Sequence, residues 1–262
     1  MIQMTSVPDL DHNLSRAAHW IEAAARAGAQ VVGLPENFPY LREEGAGPNP
    51  AAQGLDGPVV ELLREQAKRH EIVIAGGTFP ERIEGEERVY NTAVVVDTDG
   101  SVRAAYRKIH LFDVALPGAT YKESSSVAPG EEIVVAETSL GTLGLSICYD
   151  LRFPELYRAL VDRGARILLV PAAFTVPTGR DHWEVLLRAR AIESQAFVLA
   201  AAQYGDHTPR RRSYGRSTII DPWGIPLCTV PDGEGLGLAD LDLARLEQIR
   251  EHLPALSHRR LR

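Results

Sequence analysis

The chain has 262 residues, 45% of them hydrophobic, and no composition shift that marks a linker, so one domain spanning residues 1–262 is expected around a substantial core. A net charge of −7 argues against a general nucleic-acid surface; the short basic clusters at 210–212 and 258–262 read as a solvated loop and a tail. Two cysteines, Cys148 and Cys228, make no disulfide framework and fit a reducing, cytoplasmic setting, and no stretch reads as a leader or a membrane span.

Apolar residues from Leu14 to Ala25 recur at helical spacing and predict a helix over 13–27 that stops at Gly28, followed by a buried strand over 29–36. A helix over 58–70 opens with Pro58 in its first turn, and a strand follows over 71–79. The Pro/Gly-rich patches at 43–58 and 127–132 read as loops. Two β-like runs joined at Asp99-Gly100 predict a hairpin. Then come a strand over 141–147, a helix over 154–163, a strand over 166–171, a helix over 181–195, a strand over 196–202 and a hairpin-like pair around Asp221–Gly224. The mixture implies an α/β fold of two sheets with helices on their outer faces, a four-layer αββα sandwich.

Phosphate-binding loops, a dinucleotide fingerprint, HExxH and paired CxxC motifs are all absent from the sequence. The stretch GLSICYDLRFPEL, 144–156, misses the serine-hydrolase elbow but puts Cys148 at a turn between strand and helix, where partial positive charge favours thiolate. His182 is the obvious papain-style base, yet it begins an amphipathic helix where a packed or capping role is at least as reasonable. Two other strand ends carry chemistry. VVGLPENFP holds Glu36 between two prolines, and YRKIHLF puts Lys108 and His110 on one side of a strand. Singly, these read as a solvated acid and a snorkelling lysine; an acid, a lysine and a cysteine at three strand ends are a less probable coincidence.

Through GLPENFP, YRKIHLFD and GLSICYDLRFPEL the chain resembles the nitrilase superfamily of carbon–nitrogen hydrolases over essentially its whole length. The resemblance implies an αββα sandwich, usually dimerised across its outer helices, and a Glu-Lys-Cys triad. It makes Glu36 the general base, Lys108 the cationic stabiliser and Cys148 the nucleophile, with Glu123 of YKESSSVAPG positioning substrate or Lys108. The backbone N–H of Tyr149 would share the oxyanion with Lys108. The stretches 178–205 and 212–224 are most similar to Nit-type amidases, above all the branch that hydrolyses deaminated glutathione. Its neighbour omega-amidase acts on alpha-ketoglutaramate, and another short amide or an N-carbamoyl amino acid remains open. Arg152, with Phe174 and Thr178 of AAFTVPTG, is then expected to line the acyl pocket, the guanidinium pairing with a substrate carboxylate. No metal or organic cofactor is required, the partner is a small amide, and the arginine-rich helix at 184–195 would pack against a second copy. The short N-terminus predicts a first strand paired by very few residues. A catalytically silent scaffold is the contrary reading.

Overall fold

Side chains of the strands Val73–Arg82 and Val89–Val96 alternate between two cores. Val73, Ala75, Ala93 and Val95 join a central core, while Ile74, Val94 and Val96 join an outer one. The outer core is closed by helices Leu10–Arg26 and Pro58–His70, which supply Ala17, Ile21, Ala24, Val60, Leu63 and Ala67. The first of these helices starts at Leu10 because Asp9 caps it, its carboxylate accepting from His12 N at 3.0 Å. It ends before Gly28, whose φ of 88° lies in the left-handed region.

The computed structural model describes residues 1–43, 47–116 and 119–261. Part of the Pro/Gly-rich patch, residues 44–46, and the last residue of the basic tail lie outside the described residues. The first sheet runs in the order Val31–Gly33, Val73–Arg82, Val89–Val96, Val102–Arg107, with Val127–Ala128 added beside Val89–Val96. The second runs Pro226–Thr229, Thr218–Ile220, Phe197–Ala200, Ile167–Leu169, Gly141–Leu145, Val135–Thr138. Its three inner strands Phe197–Ala200, Ile167–Leu169 and Gly141–Leu145 are parallel. Helices Pro154–Asp162 and Glu184–Ser194 cover this sheet with Leu156, Leu160, Leu187 and Ala191. Ala75, Ala93 and Val95 of one sheet and Leu145, Leu169 and Leu199 of the other line one narrow gap between the sheets. The layers are therefore helix, sheet, sheet, helix, as expected.

The hairpins at Asp99-Gly100 and at Asp221–Gly224 form where expected. The first strand, Ile2–Gln3, pairs with Gly235–Leu236 over two residues only. Three segments differ. The strand expected over 141–147 stops at Leu145 because the chain bends into the cysteine turn. The helix expected over 181–195 is a π-helical turn, Gly179–Trp183, continuing into Glu184–Ser194; buried Trp183 anchors it by donating from Nε1 to Arg216 O at 2.8 Å. The arginine cluster at 210–212 is not a solvated loop. Arg211 begins the strand Arg211–Tyr214, which pairs with Tyr204–Thr208 and leaves Arg210 and Arg212 exposed but Arg211 half-buried. A helix over Leu243–His252 has no counterpart in the reading of the sequence.

Candidate active site

Three chain segments leave the two sheets at one end and meet there. The strand Val31–Gly33 delivers Glu36 through Leu34 and Pro35, and Asn37, at φ 54°, turns the chain away. Asn37 N donates to Thr78 Oγ1 at 2.8 Å, pinning this turn to a bulge in Val73–Arg82 at Gly76-Gly77. Lys108 follows the end of Val102–Arg107 and is fixed by its backbone: its N–H donates to Asn91 O at 2.9 Å, and Gly130 N donates to its carbonyl at 2.8 Å. Cys148 follows Gly141–Leu145 at φ 48°, an uncommon conformation for a residue with a side chain, and its N–H donates to Pro171 O at 2.9 Å. The elbow expected at Cys148 is present, opening a 3-10 turn Cys148–Arg152 rather than the longer helix.

The side chains converge. Lys108 is 2% exposed, and Nζ donates to Glu36 Oε1 at 2.9 Å and to both oxygens of Glu123 at 3.0 Å. Glu36 Oε1 also accepts from Asn91 Nδ2 at 2.9 Å, and Oε2 from Ala173 N at 2.9 Å. Glu123 Oε2 accepts from Phe112 N at 2.6 Å. Cys148, 8% exposed, lines the same cavity as Glu36 and feels its charge.

Electrostatics fixes the resting protonation. Burial alone would raise the Glu36 carboxyl, but the Lys108 charge and hydrogen bonds from Lys108, Cys148 and Asn91 outweigh it and hold Glu36 below its ordinary value. Burial would likewise lower Lys108, yet Glu123 and Glu36 raise it well above the ordinary ammonium value. Cys148 goes the other way from expectation. Burial, then the Glu36 charge, push the thiol well above its ordinary value, and Lys108 offsets this only in part. The resting centre is a carboxylate, an ammonium and a neutral thiol; a thiolate favoured by a helix N-terminus is not what this environment stabilises.

A cavity of about 930 Å³, open mouth included, leads to these groups. Glu36, Lys108, Glu123, Cys148, Tyr149, Phe174 and Thr178 all line it, so seven of the eight residues that the resemblance assigns to the site come together. Tyr149 N–H belongs to the first turn of the 3-10 helix, where amides have no intrahelical partner. Arg152 does not line the cavity. Its guanidinium lies 5.7 Å from the ring centroids of Tyr149 and of Phe174, which do line it, with Nη2 3.3 Å from His182 Nδ1. His182 is exposed and faces Arg152, away from the thiol site. His110 also departs: its Nδ1 meets Asp150 Oδ1 at 2.7 Å while Lys108 turns to the glutamates.

Two residues essential to this geometry carried no signal in the sequence. Asn91 bridges Glu36 and Glu123 from the neighbouring strand, a pairing that only sheet register reveals. Asp150, fully buried, accepts from Ile147 N at 2.8 Å, from Tyr106 OH at 2.7 Å and from His110 N at 3.1 Å. It thereby ties the cysteine turn to the lysine loop.

The chain is similar to known proteins over nearly its whole length. Residues 1–251 match the family described as carbon-nitrogen hydrolase. A deaminated glutathione amidase of Synechocystis is 47% identical, the alignment covering 98% of this chain and 96% of that protein. The human deaminated glutathione amidase is 43% identical over 98% of this chain and 80% of its own length. The crystal structure of Saccharomyces cerevisiae Nit3, a member of branch 10 of the nitrilase superfamily, superposes with a TM-score of 0.89 at 32% identity, covering 100% of this chain and 95% of that one. The chain belongs to the carbon–nitrogen hydrolase family of the nitrilase superfamily and is an amidase that hydrolyses C–N bonds.

Proposed function

We propose that this amidase hydrolyses deaminated glutathione to 2-oxoglutarate and cysteinylglycine through a thioester on Cys148. The observation that carries the chemistry is the convergence of Cys148, Glu36 and Lys108 in one cavity, Lys108 Nζ donating to Glu36 Oε1 at 2.9 Å and its charge holding Glu36 below its ordinary value. Glu36 takes the thiol proton as Sγ attacks the amide carbonyl carbon, so no free thiolate has to persist in the buried site. Protonation of Glu36 weakens its hold on Lys108 Nζ, which turns an N–H, together with Tyr149 N–H, toward the new oxyanion. Collapse of the tetrahedral adduct breaks the C–N bond, and Glu36 returns its proton to the leaving nitrogen. Water, deprotonated by Glu36, then attacks the thioester; Cys148 leaves and recovers the proton. Glu123 positions Lys108 throughout, holding it with both oxygens.

The substrate reading is supported by two relatives that carry this name at 47% and 43% identity. Arg152 would meet the acyl carboxylate at the Tyr149–Phe174 wall, since among the described residues no carboxylate is paired with it. The test compares kcat/KM for deaminated glutathione and alpha-ketoglutaramate: a preference for the first supports the reading, and a preference for the second makes the enzyme an omega-amidase.

One domain and a homodimer belong to the same proposal. The shared gap between the sheets supports the first. The second is supported by exposed Val185 and Ile192 on the helix Glu184–Ser194 and by Trp223 beside them, where Arg188 Nε donates to Gly224 O at 2.8 Å. Sedimentation at micromolar concentration should give a dimer; monomer alone contradicts it. Both cysteines are free, which supports a cytoplasmic place.

A further inference from the structure

Arg211 lines the same cavity as Cys148 and Glu36. Its strand Arg211–Tyr214 is fixed to the cavity wall: Ser213 bridges to Thr175, and Tyr214 N donates to Phe174 O at 2.9 Å. The guanidinium is itself oriented, Nη1 donating to Arg42 O at 2.7 Å. Its neighbours in sequence are neutralised, Arg210 by Glu43 and Arg212 by Asp206. Among the described residues no carboxylate pairs with Arg211. Arg42 lines the cavity too, and after burial the closeness of Arg211 helps hold the Arg42 guanidinium below its ordinary value.

We infer that Arg211 is a specificity-determining residue that receives the terminal carboxylate of the leaving peptide. This rests on the reading of deaminated glutathione as substrate, and it deepens that reading. The substrate carries a carboxylate on each side of the scissile amide, and the chain offers two guanidiniums without a carboxylate partner, Arg152 beside the Tyr149 and Phe174 rings and Arg211 on the cavity wall. An extended dipeptide leaving group spans roughly 7 Å. An amide that releases only ammonia, by contrast, has nothing to place against Arg211 on the cavity wall.

The experiment measures kcat/KM of wild type and Arg211→Gln on three substrates: deaminated glutathione, its analogue with the glycine carboxylate converted to carboxamide, and alpha-ketoglutaramate. Wild type should prefer the carboxylate over the carboxamide by about ten- to a hundredfold, the worth of one charge-assisted contact. Arg211→Gln should abolish that preference and lose far more on deaminated glutathione than on alpha-ketoglutaramate. An undiminished preference for the carboxylate in Arg211→Gln overturns the inference. So does an equal loss on all three substrates, which makes Arg211 a structural residue of the hairpin. If wild type turns over alpha-ketoglutaramate but not deaminated glutathione, the substrate reading itself fails, and this outcome is visible before any variant is made.

Discussion

Tyr106 OH donates to Asp150 Oδ2 at 2.7 Å in the buried space between the sheets, joining the strand that delivers Lys108 to the turn that carries Cys148. Burial first, and then the Asp150 charge, raise the Tyr106 hydroxyl far above its ordinary value, so it remains a donor. Asp150→Ala strands the donors of Ile147, Tyr106 and His110, and at about 1–3 kcal/mol for each unsatisfied group it should destabilise the fold by at least 3 kcal/mol. Urea unfolding at neutral pH measures this. Tyr106→Phe, which removes one donor together with its need for a partner, should cost about 1 kcal/mol and slow turnover more than it raises KM. A full-strength fold in Asp150→Ala contradicts the coupling.

Gly77 holds the general base from behind. It sits at φ 59° in the bulge, and an added Cβ would meet Pro35 O at 2.2 Å, one residue before Glu36. Gly77→Ala should displace this turn, lowering stability by roughly 1–3 kcal/mol and kcat by at least about tenfold. Thermal unfolding and steady-state rates test both; a variant with wild-type kcat would mean the Glu36 turn yields without consequence.

The pH dependence follows from the direction of two shifts. Glu36 is the base only as carboxylate, and its value is lowered, so kcat/KM should persist as pH falls through the ordinary glutamate value of about 4.3 and decline only below it, provided the fold survives. The thiol is raised, so alkylation of Cys148 by iodoacetamide should keep rising with pH beyond about 8.5, without the plateau of an ordinary thiol. A plateau near neutrality would mean that the resting enzyme holds a thiolate.

Arg152→Ala should lower kcat/KM for carboxylate-bearing amides by about ten- to a hundredfold and leave a neutral amide such as butyramide far less affected. Arg152→Lys keeps the charge but not the planar fork, and should recover only part of the loss. Equal slowing of both substrate types would reduce Arg152 to a support for the Tyr149 and Phe174 rings.

Residues at strand ends were legible because the pattern that announces a strand also announces where it stops: Glu36, Lys108 and Cys148 each follow an apolar or alternating run. Asn91 was not, since it lies inside a strand and matters only through its register opposite the lysine strand. Asp150 follows Cys148 closely, but nothing local marks its role, because its partners Tyr106 and His110 are 44 and 40 residues away in sequence. The thiol's state was misjudged for a related reason. Helix position is local and can be read from sequence, whereas burial against Glu36 is tertiary. Arg211 was lost in a basic cluster because alternation across a short hairpin, with Arg210 and Arg212 facing out, separates one arginine from its neighbours.

The central claim is that Glu36, and no histidine, drives Cys148. Its most direct test is kcat/KM on deaminated glutathione for Glu36→Gln and His182→Ala, each checked for a wild-type circular dichroism spectrum. Glu36→Gln should fall by about 10²- to 10⁴-fold, the usual worth of general acid–base catalysis, while His182→Ala, whose ring is exposed and faces Arg152, should stay near wild type. Loss of turnover in His182→Ala with Glu36→Gln still active would contradict the account.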